Sequence, residues 1–283
     1  MKSGTVAVVG RANAGKSTLV NVLVGEKVAI VSPKPQTTRD RIYGVLTTEE
    51  YQIVFEDTPG IYRASTTLNS RMQRAAESTA KETDIILFVV DGHTGLKDED
   101  LDLAQKFAKV GAPMIVAFTK TDIMPKENIP QELVKLAEIS GVTEIVPVSA
   151  RKGRNVKELL AVLLKYLPEG DYVFNPDAIS DKSEKFMIAE IMREKILLKY
   201  DREIPHGVAV VIEEYREGIL VGSGCVNGEI WRNAFEKTEE DIEKVLEFYD
   251  YIEVQPPVEY LHLFRTDEDE TDALNKIKET ISA

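Results

Sequence analysis

Residues 10–17 read Gly-Arg-Ala-Asn-Ala-Gly-Lys-Ser, a G-x-x-x-x-G-K-S pattern between an apolar run of strand length at 5–9 and a helical stretch at 16–24. Few short segments constrain a fold as tightly. The glycines let the backbone wrap a phosphate without side-chain clash, and successive N–H groups and the helix N-terminus face the negative charge. In that setting Asn13, Ala14, Gly15 and Thr18 join the phosphate-binding set, Lys16 reaches the β- and γ-phosphates, and the Ser17 hydroxyl binds Mg2+. The pattern implies a nucleoside triphosphate, not which one.

The surrounding chain alternates. Strands are expected at 5–9, 43–46, 52–55, 84–90, 113–118 and 144–148, and helices at 16–24, 69–82, 98–110, 131–140 and 155–167. This alternation implies an α/β unit with a mostly parallel sheet over residues 1–168. The stretch 168–180 (PEGDYVFNPDAIS) is rich in Pro, Gly and Asp and reads as a linker, set at residues 169–182. A smaller domain is expected over 183–283. It has helices at 184–200, 235–248 and 267–281, strands at 208–212 and 258–264, and an unassigned Gly-rich stretch at 218–228. Charge divides the same way. The chain carries −13 overall, of which residues 1–169 contribute +1 and residues 170–283 contribute −14. Such different parts face different partners.

Four further segments narrow the nucleotide. Asp57-Thr-Pro-Gly60 follows a strand, where a carboxylate can hold Mg2+ through water and the Gly60 N–H can contact a γ-phosphate. Thr119-Lys120-Thr121-Asp122 follows another. There the Asp122 carboxylate can accept the N1 and N2 hydrogens of guanine, which adenine does not offer in that pattern, and Lys120 can lie along base and ribose. Ser149-Ala150 follows the next strand, where the Ala150 N–H can reach guanine O6. Gln36-Thr37-Thr38-Arg39 lies in a polar loop whose threonine can close over Mg2+. Each is weak alone; DTPG by itself is a common turn. Together, in order and at strand ends, they imply GTP and GDP rather than an ATP-specific or degenerate site. The expected catalytic set is Lys16, Thr38 and Gly60, and the Mg2+ set is Ser17, Thr38 and Asp57. No general-base side chain is evident, so catalysis rests on positioning and charge neutralisation.

These segments (GRANAGKSTLVN, PQTTRDR, DTPGI, TKTD and SARKGRNVKELL) resemble the Era family of ribosome-assembly GTPases, within the translation-factor-related class. Residues 184–215, EKFMIAEIMREKILLKYDREIPHGVAVVIEEY, resemble the segment that starts that family's RNA-binding KH domain. The resemblance is good over residues 4–215 and poor beyond. It implies a P-loop GTPase domain followed by a small α+β, KH-like domain. It also implies GTP hydrolysis, and docking on the small ribosomal subunit near the 3′ end of its rRNA.

Three departures stand out. Thr119 takes the place of the family's usual Asn. Ile61 follows DTPG, as a hydrophobic residue does in relatives, so no side chain there aligns water and intrinsic turnover should be slow. In K+-dependent relatives the P-loop Asn matching Asn13 helps bind K+; Asn13 is a candidate for that role or for a loop-stabilising amide. The third departure concerns RNA. A KH domain clamps nucleic acid with a G-x-x-G loop, and Gly218, Gly222, Gly224 and Gly228 do not form one. From Glu213 onward the balance is −12, which opposes phosphate contacts. The alternative is a degenerate KH fold that meets a basic protein partner.

Other residues point to nothing specific. His93, His206 and His262 lack metal spacing, and Cys225 is the only cysteine, so disulfide frameworks and Cys-based zinc sites are excluded. Trp231 reads as core rather than as a platform for a base, and Arg39 and Arg41 as solvated switch-loop charges, the alternative being contact with a partner or a phosphate. The longest strongly apolar run, 85–90, is too short for a membrane span of about 20 residues. No secretory signal is read at the N-terminus. The cytoplasm is the expected compartment, with peripheral association at the inner face of the cell membrane left open.

Overall fold

Val6, Ala7, Val8 and Val9 are all fully buried, so the strand that carries them, β1 (Lys2–Gly10), is covered on both faces. The computed structural model describes residues 1–32, 37–38, 41–58, 80, 83–199, 209–216, 219–226 and 229–236. It divides into two compact units, Met1–Lys182 and Ser183–Ala283.

In the first unit β1 joins β2 (Ile42–Thr47), β3 (Tyr51–Asp57), β4 (Ile85–Asp91), β5 (Met114–Thr119) and β6 (Val142–Pro147) in the order β2-β3-β1-β4-β5-β6. All neighbours run parallel except the β2–β3 pair. The helices are α1 (Lys16–Val24), α2 (Asp98–Ala108), α3 (Ile129–Ala137) and α4 (Val156–Tyr166). The strand period of two sends Val6, Val8, Ile85, Leu87 and Val89 to one face, where they meet Leu19 and Leu23 of α1 and Leu159 and Leu163 of α4. Ala7, Val9, Ile86, Phe88 and Val90 face the other way, onto Leu103 and Phe107 of α2 and Leu136 of α3. At roughly 1.5–3 kcal/mol for each fully buried large apolar side chain, these two layers outweigh any set of surface ion pairs.

β1 has β3 on one side and β4 on the other, so the chain reverses its direction of winding there. Such a switch point leaves a crevice at the carboxyl ends of the strands, where α/β sheets take their ligands. Every nucleotide motif singled out above and described here sits on that edge. Element bounds differ by a few residues from expectation. α3 begins at Ile129 because Pro130 falls within its first turn, where a missing N–H costs nothing. The helix expected at 69–82 lies outside the described residues but for residue 80.

Residues 169–182, expected as a linker, run along the β2 edge within this first unit. The fully buried Gln52 carboxamide donates to the Phe174 carbonyl at 2.9 Å and accepts from the N–H groups of Val173 and Phe174 at 2.7 and 2.9 Å. The Val45 N–H donates to the Ile179 carbonyl at 2.9 Å, and the Tyr43 N–H to Asp181 Oδ1 at 3.0 Å. The Tyr172 hydroxyl donates to the Thr48 carbonyl at 2.7 Å.

The second unit opens with α5 (Glu184–Lys199), which packs against β7 (Ala209–Arg216). Ile188, Ala189, Met192 and Ile196 are buried at helical spacing. β7 pairs antiparallel with β8 (Ile219–Val226), and β8 with β9 (Glu229–Glu236). The Gly-rich stretch left unassigned from sequence is therefore largely strand. The helix expected at 235–248 is corrected at its start: Phe235 and Glu236 pair with Leu220 and Ile219 in β9. Its remainder, the strand expected at 258–264 and the helix at 267–281 lie outside the described residues.

Candidate functional site

The loop between β1 and α1 turns on three left-handed backbones, Gly10 (φ 147°), Asn13 (φ 59°) and Gly15 (φ 100°). Gly10 is obligatory, since a Cβ there would lie 2.3 Å from the Val89 carbonyl oxygen. Lys16 starts α1 and is buried, and its ammonium donates to the carbonyls of Gly10 at 3.1 Å and Arg11 at 2.9 Å. Burial pushes it down to about 8, against the pull of Asp57. Thr18 follows on α1, half-buried.

Beside Lys16 lies a cluster of oxygens. The Ser17 hydroxyl donates to Asp57 Oδ2 at 2.7 Å and lies 3.0 Å from Thr38 Oγ1. Asp57 Oδ1 is buried without a hydrogen-bond partner in the structure. Burial raises the Asp57 carboxyl, and Lys16 and Ser17 pull it back down. Two hydroxyls and a carboxylate with an unmatched oxygen are a donor set that a hard divalent cation fits. Thr37 faces elsewhere, its hydroxyl 2.8 Å from that of Ser32. Gly60 and Arg39 lie outside the described residues. Arg41 pairs with Glu56 at 3.3 Å and sits over the Tyr43 ring.

The residues expected to read the base gather at the ends of β5 and β6. The Ser149 hydroxyl donates to Asp122 Oδ1 at 2.7 Å, and this bond chiefly holds the Asp122 carboxyl below its usual range. Ser149 is fully buried in a tight turn, its N–H and C=O both exchanged with Arg154, and Ala150 is next in line. Thr119 sits at the end of β5, its hydroxyl 2.6 Å from the Ala14 carbonyl oxygen. Lys120 has a left-handed backbone (φ 57°) and donates to the Asn13 carbonyl at 2.7 Å.

Sequence reasoning missed three residues here. Asp91, at the end of β4 and in register with Thr119, takes the Lys120 ammonium at 2.8 Å. A carboxylate closing an apolar strand beside TKTD was the available signal. Arg11 donates from Nε to the buried Asp100 at 2.7 Å, and Asp100 also accepts the Lys97 N–H at 3.0 Å to cap α2. Nothing local marks that pair, because its partners are 89 residues apart. Of the histidines only His93 is described, and among the described residues no cluster of His, Cys, Asp or Glu could hold a metal.

A six-stranded sheet of this order, with a lysine-bearing phosphate loop and a carboxylate loop for a purine edge on one side, defines a P-loop GTPase. Residues 5–120 match a family model described as 50S ribosome-binding GTPase. GTPase Era of Clostridium kluyveri is 38% identical over 274 residues, covering 90% of this chain and 92% of that protein. The chain belongs to the Era family of GTPases. Two solved Era structures superpose with a TM-score of 0.72 at 42% identity, covering 77% of this chain and 74% of theirs. One is a point variant from Aquifex aeolicus bound to GDP·AlF4−; the other is a complex with MgGDPNP and nucleotides 1506–1542 of 16S ribosomal RNA. Among the described residues, no helix is long and apolar enough to cross a membrane.

Proposed function

We propose that this GTPase is a switch for small ribosomal subunit assembly that binds the subunit and its rRNA in the GTP state. The observation that carries this reading is its likeness to the Era structure held with MgGDPNP and 16S rRNA. In this reading Gly15, Lys16, Ser17 and Thr18 hold the phosphates, and Lys120, Asp122, Ser149 and Ala150 form the base site, with Thr119 beside them at the end of β5. Ser17, Thr38 and Asp57 hold Mg2+. When bound, Mg2+ neutralises charge on the phosphate oxygens. Lys16, Thr38 and the Gly60 N–H position the γ-phosphate for in-line attack by water. Residues 1–168 form the GTPase domain, 169–182 the connection and 183–283 a divergent KH-like domain, in a cytoplasmic protein.

The test is salt-titrated binding of the full chain to an RNA from the 3′ end of small-subunit rRNA, with GTP analogue and with GDP. Residues 170–283 carry −14, so few phosphates can be neutralised there. Saturable binding favoured by the analogue is expected, with a log–log salt slope no steeper than about −3, at about −0.7 per phosphate for single strands. No binding, with hydrolysis intact, would sink the RNA reading and move the acidic unit to protein partners.

Asn13 is exposed at the rim of the phosphate loop, and its side chain is proposed to coordinate K+. Turnover in K+ should exceed that in Na+ by about tenfold or more, a gain in the direction of an arginine finger though smaller. Equal rates in the two salts would remove K+ from the account.

A further inference from the structure

Building on the guanine-nucleotide reading above, we propose that Thr119 is a staple for the phosphate loop and makes no donor contact with the purine, so that this chain reads guanine without its N7 edge. Thr119 closes β5 almost fully buried. Its Oγ1 lies 2.6 Å from the Ala14 carbonyl oxygen and 3.1 Å from that of Val90. A threonine hydroxyl has one proton, and both neighbours are acceptors only. The shorter bond takes the proton. Guanine N7 is a third acceptor and finds no donor left at this side chain. β-branching stiffens χ1, and the Gly92 N–H holds the Thr119 carbonyl at 2.9 Å, so the hydroxyl has little freedom to turn elsewhere.

The staple has a use. All described peptides are trans. In a trans peptide the C=O and the following N–H point opposite ways. Pinning the Ala14 carbonyl toward β5 therefore turns the Gly15 N–H away from it, and the left-handed Gly15 (φ 100°) carries the chain into α1 and Lys16. An Asn at this position has two amide protons, enough for the Ala14 carbonyl and for one further acceptor. The exchange of Asn for Thr keeps the tether and gives up the second donor. Base recognition then falls to Asp122, oriented by Ser149, and to the Ala150 N–H.

The experiment compares equilibrium affinities of the full chain for GDP and for 7-deaza-GDP, in which N7 is a C–H. The wild type should bind the two within about threefold, since no hydrogen bond is lost. Thr119→Asn should prefer GDP over the deaza analogue by about fivefold or more, the size of one added hydrogen bond. Thr119→Val should weaken both nucleotides alike by about tenfold, while Thr119→Ser, which keeps the hydroxyl, stays near wild type. The proposal is overturned if the wild type discriminates by more than threefold, or if Thr119→Val binds both like the wild type. Failure of GDP itself to bind would instead overturn the guanine reading, and this proposal with it.

Discussion

Lys16→Met is expected to lower single-turnover GTP hydrolysis about a thousandfold, the size of losing one preorganised charged donor, while the nucleotide-free protein melts no lower than the wild type. The two halves of that result share one cause. The ammonium is buried and, among the described residues, its hydrogen bonds go to the neutral carbonyls of Gly10 and Arg11 at 3.1 and 2.9 Å, so that the attraction of Asp57 offsets the burial only in part. Burial pushes it from 10.5 to about 8. The unfolded chain therefore binds more protons between pH 8 and 10.5, and stability rises with pH in that window. Below pH 8 the folded protein carries the full cost of the buried charge, which a methionine of similar shape does not. A nucleotide's phosphates favour the ammonium, so the sign reverses on binding. Affinity is fully present below pH 8 and falls as pH rises above it, by at most about tenfold per unit. Calorimetry in two buffers of different ionisation enthalpy would show proton uptake on binding at pH 8.5. Undiminished hydrolysis by the Met variant would remove Lys16 from the phosphate site.

Asp122→Asn is expected to weaken GDP by about a hundredfold to ten-thousandfold and to shift preference toward xanthine nucleotides. Guanine offers two donors, N1–H and the 2-amino group, to two carboxylate oxygens, and a charge-assisted bond contributes about 1.5–3 kcal/mol. A carboxamide keeps one acceptor and adds one donor. Against guanine the new donor meets a donor; against xanthine it meets the C2 carbonyl. The fold should not change, since the Ser149 hydroxyl at 2.7 Å can still donate to the amide oxygen. Competition between GDP and XDP for the variant decides the matter. An unchanged guanine preference would mean that the purine edge lies elsewhere.

The nucleotide side of the molecule was legible because its chemistry is local. Gly10 to Ser17 carries its strand, loop and helix with it, and TKTD and SARKG each follow an apolar run that ends where the chemistry begins. What escaped was long-range or contextual. Asp91 reads as a strand end until Thr119 is placed beside it. Asp100 reads as a solvated helix start until Arg11 arrives from 89 residues away. In the second unit what escaped was a turn. The helix expected at 235–248 starts two residues inside β9, because Asn227-Gly228, the strongest short hairpin signal a sequence holds, is read only as part of a Gly-rich stretch. The pairing of Val226 with Glu229 across those two residues shows which signal won.

The segment laid along β2 also bears on where this chain can be cut. A fragment ending at residue 168 would keep every nucleotide motif and still be an incomplete unit. Gln52, fully buried, would lose three hydrogen bonds that only Val173 and Phe174 supply. Tyr43 and Val45 would show bare amides on an outer strand, an open template for another chain. The sheet thus borrows its last strip of wall from residues that sequence assigns to the space between domains, and the compact unit that contains it runs to Lys182.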